Sequence, residues 1–147
     1  MGKTVLESCK EFLGKYPGTI AWRIKKHCKV IEDHINKDEV VLYTFAGQKN
    51  TNWTVPFSTA VIVFTNKRML VARSLFLGRS LYSSITPDML NDFSIREHII
   101  FGTVEIDTVK EHFTINCLNK KALPKIEDAL SKYLVDEKIK LLKNKNS

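Results

Sequence analysis

Val61-Ile62-Val63-Phe64-Thr65-Asn66-Lys67-Arg68-Met69-Leu70-Val71-Ala72-Arg73 holds two β-rich runs joined by a short polar turn. β-Branched and aromatic side chains suit a pleated, partly buried surface, so residues 57–65 and 69–73 read as a hairpin. Asn66 is expected to take the left-handed conformation that a tight turn needs. Lys67 and Arg68 should then project from the tip or edge. Charge placed there either blocks edge pairing or contacts a ligand.

The β pattern extends outward from this hairpin. Upstream, Val40–Ala46 is another run, stopped by Gly47 and the polar stretch Gln48–Asn52. Downstream, Arg79–Ile85 gives a fourth. Phe93 and Ile95 alternate with polar neighbours, as do Val104, Ile106 and Thr108, then Phe113, Ile115 and Cys117. Seven short strands at roughly 8–12-residue spacing point to an antiparallel sandwich or barrel. Helical periodicity flanks them. Val5, Leu6, Cys9, Phe12 and Leu13 form one apolar face, broken by Gly14-Lys15-Tyr16-Pro17-Gly18. Thr19 reads as the N-cap of a second helix reaching about Asn36, with Ile20, Ile24, Cys28 (or His27), Ile31 and Ile35 as its stripe. Those stripes must bury against the strands that follow or against a second copy of the chain. A last helix, capped by Asn119, carries Leu123, Ile126, Leu130, Tyr133 and Leu134 on one face, and its stripe fades after Val135.

Length and composition bound the function. The 147 residues, 44% hydrophobic and 27% charged, describe a globular domain and exclude wholesale disorder. No apolar run approaches the roughly 18 residues of a spanning helix, and no secretory signal opens the chain. Cys9, Cys28 and Cys117 are odd in number and widely spaced, which implies free thiols in a cytoplasmic protein. The net charge of +7 invites a polyanion, yet most of the excess lies in the last 29 residues. Its end, residues 137–147, carries Lys138, Lys140, Lys143 and Lys145 without aromatics for base stacking, so a solvated basic tail is the plainer reading.

Seven strands closed by one C-terminal helix is the layout of the pleckstrin-homology (PH) fold. The sequence also resembles the bacterial PH-like domains, in particular the YokE-like group. The resemblance rests on Asp38-Glu39-Val40-Val41-Leu42 and, more strongly, on Val61–Leu70, which is similar to that family's "LTNKRLL"-type hairpin. Phe64 replaces the usual leucine. The resemblance covers about residues 36–135 and implies a fold and a binding or scaffolding role, without naming a ligand. The expected organisation is a helical extension over 1–36, a PH-like barrel over 37–136 capped by its helix, and a basic tail over 137–147.

Signals for chemistry are sparse. His27, His34, His98 and His112 lack metal-ligand spacing, and no C-x-x-C, G-x-S-x-G or phosphate-cradling glycine motif occurs. The paired acidic residues are sequence neighbours that point in different directions, which does not preset an acid–base pair. No catalytic residue, metal or cofactor is therefore assigned. In a PH-like barrel one open end would gather Lys49 and Trp53, then Arg73, Phe76, Leu77 and Arg79, then Lys110. Apolar residues beside cations at loop tips mark a membrane or protein contact, or else fold inward and plug the barrel mouth. Phosphoinositide-binding relatives carry several basic residues on the first loop, where this chain has Lys49 alone. The expectation is a non-enzymatic cytoplasmic module that binds a protein partner or itself. A peripheral module for anionic lipid is the alternative and a nucleic-acid binder the third reading.

Overall fold

The computed structural model describes residues 2–50, 58–75 and 78–145, apart from the side chains of 136–141 and 144. Helices α1 (Val5–Lys15) and α2 (Ile24–Glu32) precede strands β1 (Val41–Lys49), β2 (Thr59–Thr65), β3 (Met69–Ser74) and β4 (Ser80–Ile85). A 3-10 turn at Pro87–Met89 leads to β5 (Leu90–Glu97), β6 (Phe101–Thr108) and β7 (His112–Asn119). A second 3-10 turn, Lys120–Ala122, opens into helix α3 (Leu123–Lys145). The strands form one curled antiparallel sheet in the order β4-β3-β2-β1-β7-β6-β5. This is the expected PH-like fold.

β1 joins the two halves of the sheet. It pairs with β2 along its length but with β7 only through Gln48 opposite Asn116 and Lys49 opposite Ile115. Gly47, expected to stop the strand, lies inside it. A Cβ there would stand 2.7 Å from both Asn116 O and the Ile115 side chain, so the missing side chain lets β1 approach β7.

The sheet is packed on its inner face and, over β1–β3, on its outer face as well. The inner face carries Phe45, Ile62, Phe64, Met69, Val71, Ile106, Phe113 and Ile115, closed by Leu123, Ile126, Leu130 and Tyr133 of α3. The Tyr133 hydroxyl donates to Ile85 O at 2.6 Å and ties that helix to the end of β4. The outer face carries Ala46, Val61, Val63, Leu70 and Ala72 under Val5, Cys9, Cys28, Val30 and Ile31 of the N-terminal helices. Of the two destinations open to those stripes, the chain's own sheet is the one occupied. β2 is consequently buried at every position from Thr59 to Thr65, which accounts for its unbroken apolar run. Phe12 turns from α1 to the inner core, its ring 6.3 Å from both Tyr43 and Phe45, where β1 has parted from β7.

Several local expectations change. Thr19 does not cap α2: its hydroxyl accepts from the Asn119 N–H at 2.9 Å. Residues 19–22 instead run alongside the β1–β7 junction. The Ile20 N–H donates to Cys117 O and the Trp22 N–H to the Thr59 hydroxyl, at 3.0 and 2.9 Å. The helix begins only after Arg23, which sits at φ 54°, and it ends at Glu32. α1 starts with a capping box between Thr4 and Glu7, and the Val5 N–H donates to Glu32 Oε1 at 2.7 Å, locking the two helices together. Cys117 breaks the alternation of β7 as a bulge at φ 62°, because two residues there oppose one in β6. α3 continues past Val135 to Lys145.

Asn66 is not left-handed: among the described residues, positive φ outside glycine falls at Arg23, Asn50 and Cys117. The turn is closed by Thr65, whose hydroxyl accepts from the N–H groups of Lys67 and Arg68, both at 3.1 Å. Asn66 Oδ1 accepts from the Val40 N–H at 2.8 Å, and the Asn66 N–H donates to Val40 O. The asparagine thus fastens the hairpin to the start of β1.

Candidate functional site

Three surfaces were candidates from sequence or emerge from the fold: the β2–β3 turn, the loop end of the barrel, and the border strand β5. At the turn, Lys67 reaches solvent and pairs with the exposed Asp38. Arg68 does not project. Its guanidinium donates to Glu39 Oε1 at 2.7 Å, to the Ser84 hydroxyl at 3.0 Å and to His34 O at 3.1 Å. The Glu39 side chain is fully buried, and its other oxygen accepts from the Thr65 hydroxyl at 2.7 Å. Burial would raise its pKa, but hydrogen bonds from Arg68, Thr65 and the Asn36 amide hold it below its ordinary value. A carboxylate with every oxygen engaged and a guanidinium wrapped on it is a structural clamp between β1, the turn and the end of α2.

At the loop end the structure brings Lys49 and Lys110 around Glu111. Lys49 Nζ lies 3.4 Å from Glu111 Oε2 and 5.0 Å from the centre of the Phe113 ring. Lys110 donates to Ser84 O at 3.2 Å, and the Ser83 hydroxyl approaches Glu111 at 3.5 Å. These bonds fasten the β6–β7 turn to β4, the strand at the far border of the sheet, and so close the curl. Arg73 is half-buried on the face of Met69 and Val71, while Arg79 is exposed just before β4. Trp53, Phe76 and Leu77 lie outside the described residues.

The histidines sit apart. His27 is buried, its Nδ1 accepting from the Ser74 N–H at 2.7 Å. His34 stacks on Tyr82 at 4.0 Å, His98 meets the Thr103 hydroxyl, and His112 meets Glu105 at 3.1 Å. Among the described residues no three His, Cys, Asp or Glu side chains gather as a metal cage. No described helix is long and apolar enough to cross a membrane.

β5 was legible as a strand but not as a border. Among the described residues it pairs with β6 alone, from Leu90 opposite Thr108 to Glu97 opposite Gly102. Phe93 and Ile95 face inward yet stay only half-buried, packed against the core that α3 closes. Asp92, Ser94 and Arg96 on the alternate face are exposed. The result is an open strand edge running next to partly covered apolar side chains. Strand order is a long-range property, and no local sequence signal marks it.

Comparison with known proteins fits this geometry. The family model described as "Bacterial PH domain" matches residues 35–132, and the chain belongs to that family. Among solved structures it is similar to a pleckstrin-homology domain from Shewanella amazonensis SB2B. The TM-score there is 0.50 at 13% identity, covering 73% of this chain and 94% of that one. It is also similar to a DUF1696-family protein with a pleckstrin-homology domain from Shewanella loihica PV-4. In that case the TM-score is 0.46 at 12% identity, over 72% of this chain and 91% of that one. Comparison with curated proteins finds none that matches.

Proposed function

We propose that this chain is a non-enzymatic binding module that takes an extended segment of a protein partner along the free edge of β5. The observation that carries the reading is an unpaired strand edge beside the half-buried Phe93 and Ile95. Strand addition draws affinity from main-chain hydrogen bonds and selectivity from side-chain pockets, and both halves of that requirement coincide here. Membership of the bacterial PH family supports a binding role over a catalytic one. The engagement of Lys49 by Glu111 and of Lys110 by Ser84 O weighs against the loop end as a surface for anionic lipid.

A photo-crosslinking residue at Ser94, compared with one at the exposed Lys26 of α2, tests the reading in cells of the source organism. The expected result is a discrete adduct from position 94 and none from position 26. Ile95→Thr, which keeps a β-branched side chain but sheds apolar surface, should weaken that adduct several-fold. An adduct of twice the chain mass identifies the partner as a second copy. Adducts from position 26 but not from 94 overturn the reading.

A further inference from the structure

β5 keeps one edge that no described strand pairs, and its hairpin with β6 fixes which backbone groups face that edge. The His98 N–H donates to Phe101 O at 2.8 Å, which closes the β5–β6 turn with a hydrogen-bonded pair. Bonded and non-bonded pairs alternate along an antiparallel ladder. Arg96, opposite Thr103, and Ser94, opposite Glu105, therefore also turn their backbone groups to β6. Those of Phe93 and Ile95 point the other way, at the open edge. In keeping with this, the Phe93 N–H is taken by Asp92 Oδ1 at 2.8 Å.

Around Ser94 the strand Asp92-Phe93-Ser94-Ile95-Arg96 is complementary to itself. Laid antiparallel on a second copy with the two Ser94 residues opposed, Phe93 meets the partner's Ile95 and Asp92 meets the partner's Arg96. In that register Phe93 and Ile95 each exchange both N–H···O bonds with the other chain, so the outward backbone groups are the ones satisfied. Asp92 and Arg96 then form a non-bonded pair, the kind that brings side chains closest. Aromatic–β-branched and opposite-charge pairs are the stabilising ones across a ladder. Sliding the strands by two residues keeps the bonding pattern but sets Arg96 against Leu90 or Ser94, and the match is lost.

Charge on the exposed face favours the same occupant. Asp92 stands directly opposite Asp107 of β6, and like charges so placed repel. A guanidinium arriving at Asp92 relieves that repulsion. Arg96 is exposed and pairs with Glu105 through one terminal nitrogen, and its fork of N–H groups has donors for a second carboxylate.

We propose that the partner on β5 is a second copy of this chain, joined antiparallel about a two-fold axis at Ser94. This rests on the reading of the β5 edge given above and names its occupant. Pairing hands the Phe93 N–H to the partner's Ile95 and releases Asp92 to the partner's Arg96. The contact is isologous and closes at a dimer.

Sedimentation equilibrium of the full chain, at concentrations up to about 300 μM, tests this. The mass should rise toward twice that of the chain, with a Kd of about 100 μM or tighter. Asp92→Arg and Arg96→Asp, both at exposed positions, should each weaken the dimer about tenfold or more, because each sets like charges across the axis. Circular dichroism reports whether each variant is folded. An equimolar mixture of the two should associate again, since arginines of one chain then face aspartates of the other. Independently of those variants, Ser94→Cys with glutathione disulfide should give a disulfide-linked dimer, and Lys26→Cys on α2 should not. A wild-type chain that stays monomeric overturns the proposal, as does a dimer that neither charge reversal weakens. Monomeric protein whose crosslinker at position 94 captures a different protein overturns this proposal and leaves the edge reading standing. A dimer indifferent to both reversals, with no adduct from position 94, overturns both.

Discussion

His27 shows how a single residue couples the fold to pH. Its ring is 1% exposed, beneath α2, and Nδ1 accepts from the Ser74 N–H, which requires the neutral imidazole. Burial, reinforced by the charges of Arg23 and Arg73, lowers its pKa from 6.5 to about 4. The unfolded chain therefore takes up a proton below pH 6.5 that the folded chain refuses until about pH 4. Stability falls with pH across that window. Relative to pH 7, the loss from this residue at pH 5 is about 2 kcal/mol. Urea unfolding at the two pH values should show it, and His27→Gln should remove that part of the slope while the carboxylate contribution at lower pH persists. An identical slope in the variant would place the titration elsewhere. In sequence His27 was one of four scattered histidines. Nothing in its neighbours marks the backbone amide 47 positions later that it serves. Lys67 and Arg68 make the same point: adjacent in sequence, one meets solvent and the other clamps a buried carboxylate.

Elements were more legible than contacts. The alternation of Val104, Ile106 and Thr108 with polar residues, and the 3–4 spacing in α1 and α3, reflect which face is buried, so strands and helices could be assigned locally. The start of α2 could not. Residues 19–22 satisfy their backbone groups at the β1–β7 junction, on side chains as distant as Thr59. The N-terminal helices are part of the domain's own packing. A chain beginning at Lys37 would uncover Val61, Val63 and Leu70, and burying each such side chain is worth about 1.5–3 kcal/mol. It should therefore aggregate or unfold, and size-exclusion chromatography with circular dichroism decides this. A folded, monomeric product would show the helices to be dispensable.

Across the whole molecule, protection should be graded by position in the sheet. β2 is covered on both faces and paired on both edges, whereas β4 and β5 each keep an edge that no described strand pairs. In native-state hydrogen exchange the amides of Ala60–Phe64 should be among the last to open, and those of β5 among the earliest of the sheet. Equal protection of β2 and β5 would mean that the sheet opens as one unit. The fold class was readable because seven runs and a terminal helix permit few arrangements. The open edge of β5 was not, since it depends on which distant strands fail to meet.

The two coverings of the sheet also differ in when synthesis delivers them. α1 and α2 leave the ribosome before the strands they cover, and their outer-face partners are complete once Ala72 has emerged. The first half of the chain can therefore settle early as helices on a β1–β2–β3 sheet. The opposite face, with Phe45, Ile62 and Phe64, must wait for residues 123–133 of α3, synthesised well after Ala72. Throughout that interval the nascent chain shows one finished face and one bare face, and it is the bare face that a chaperone would have to shield.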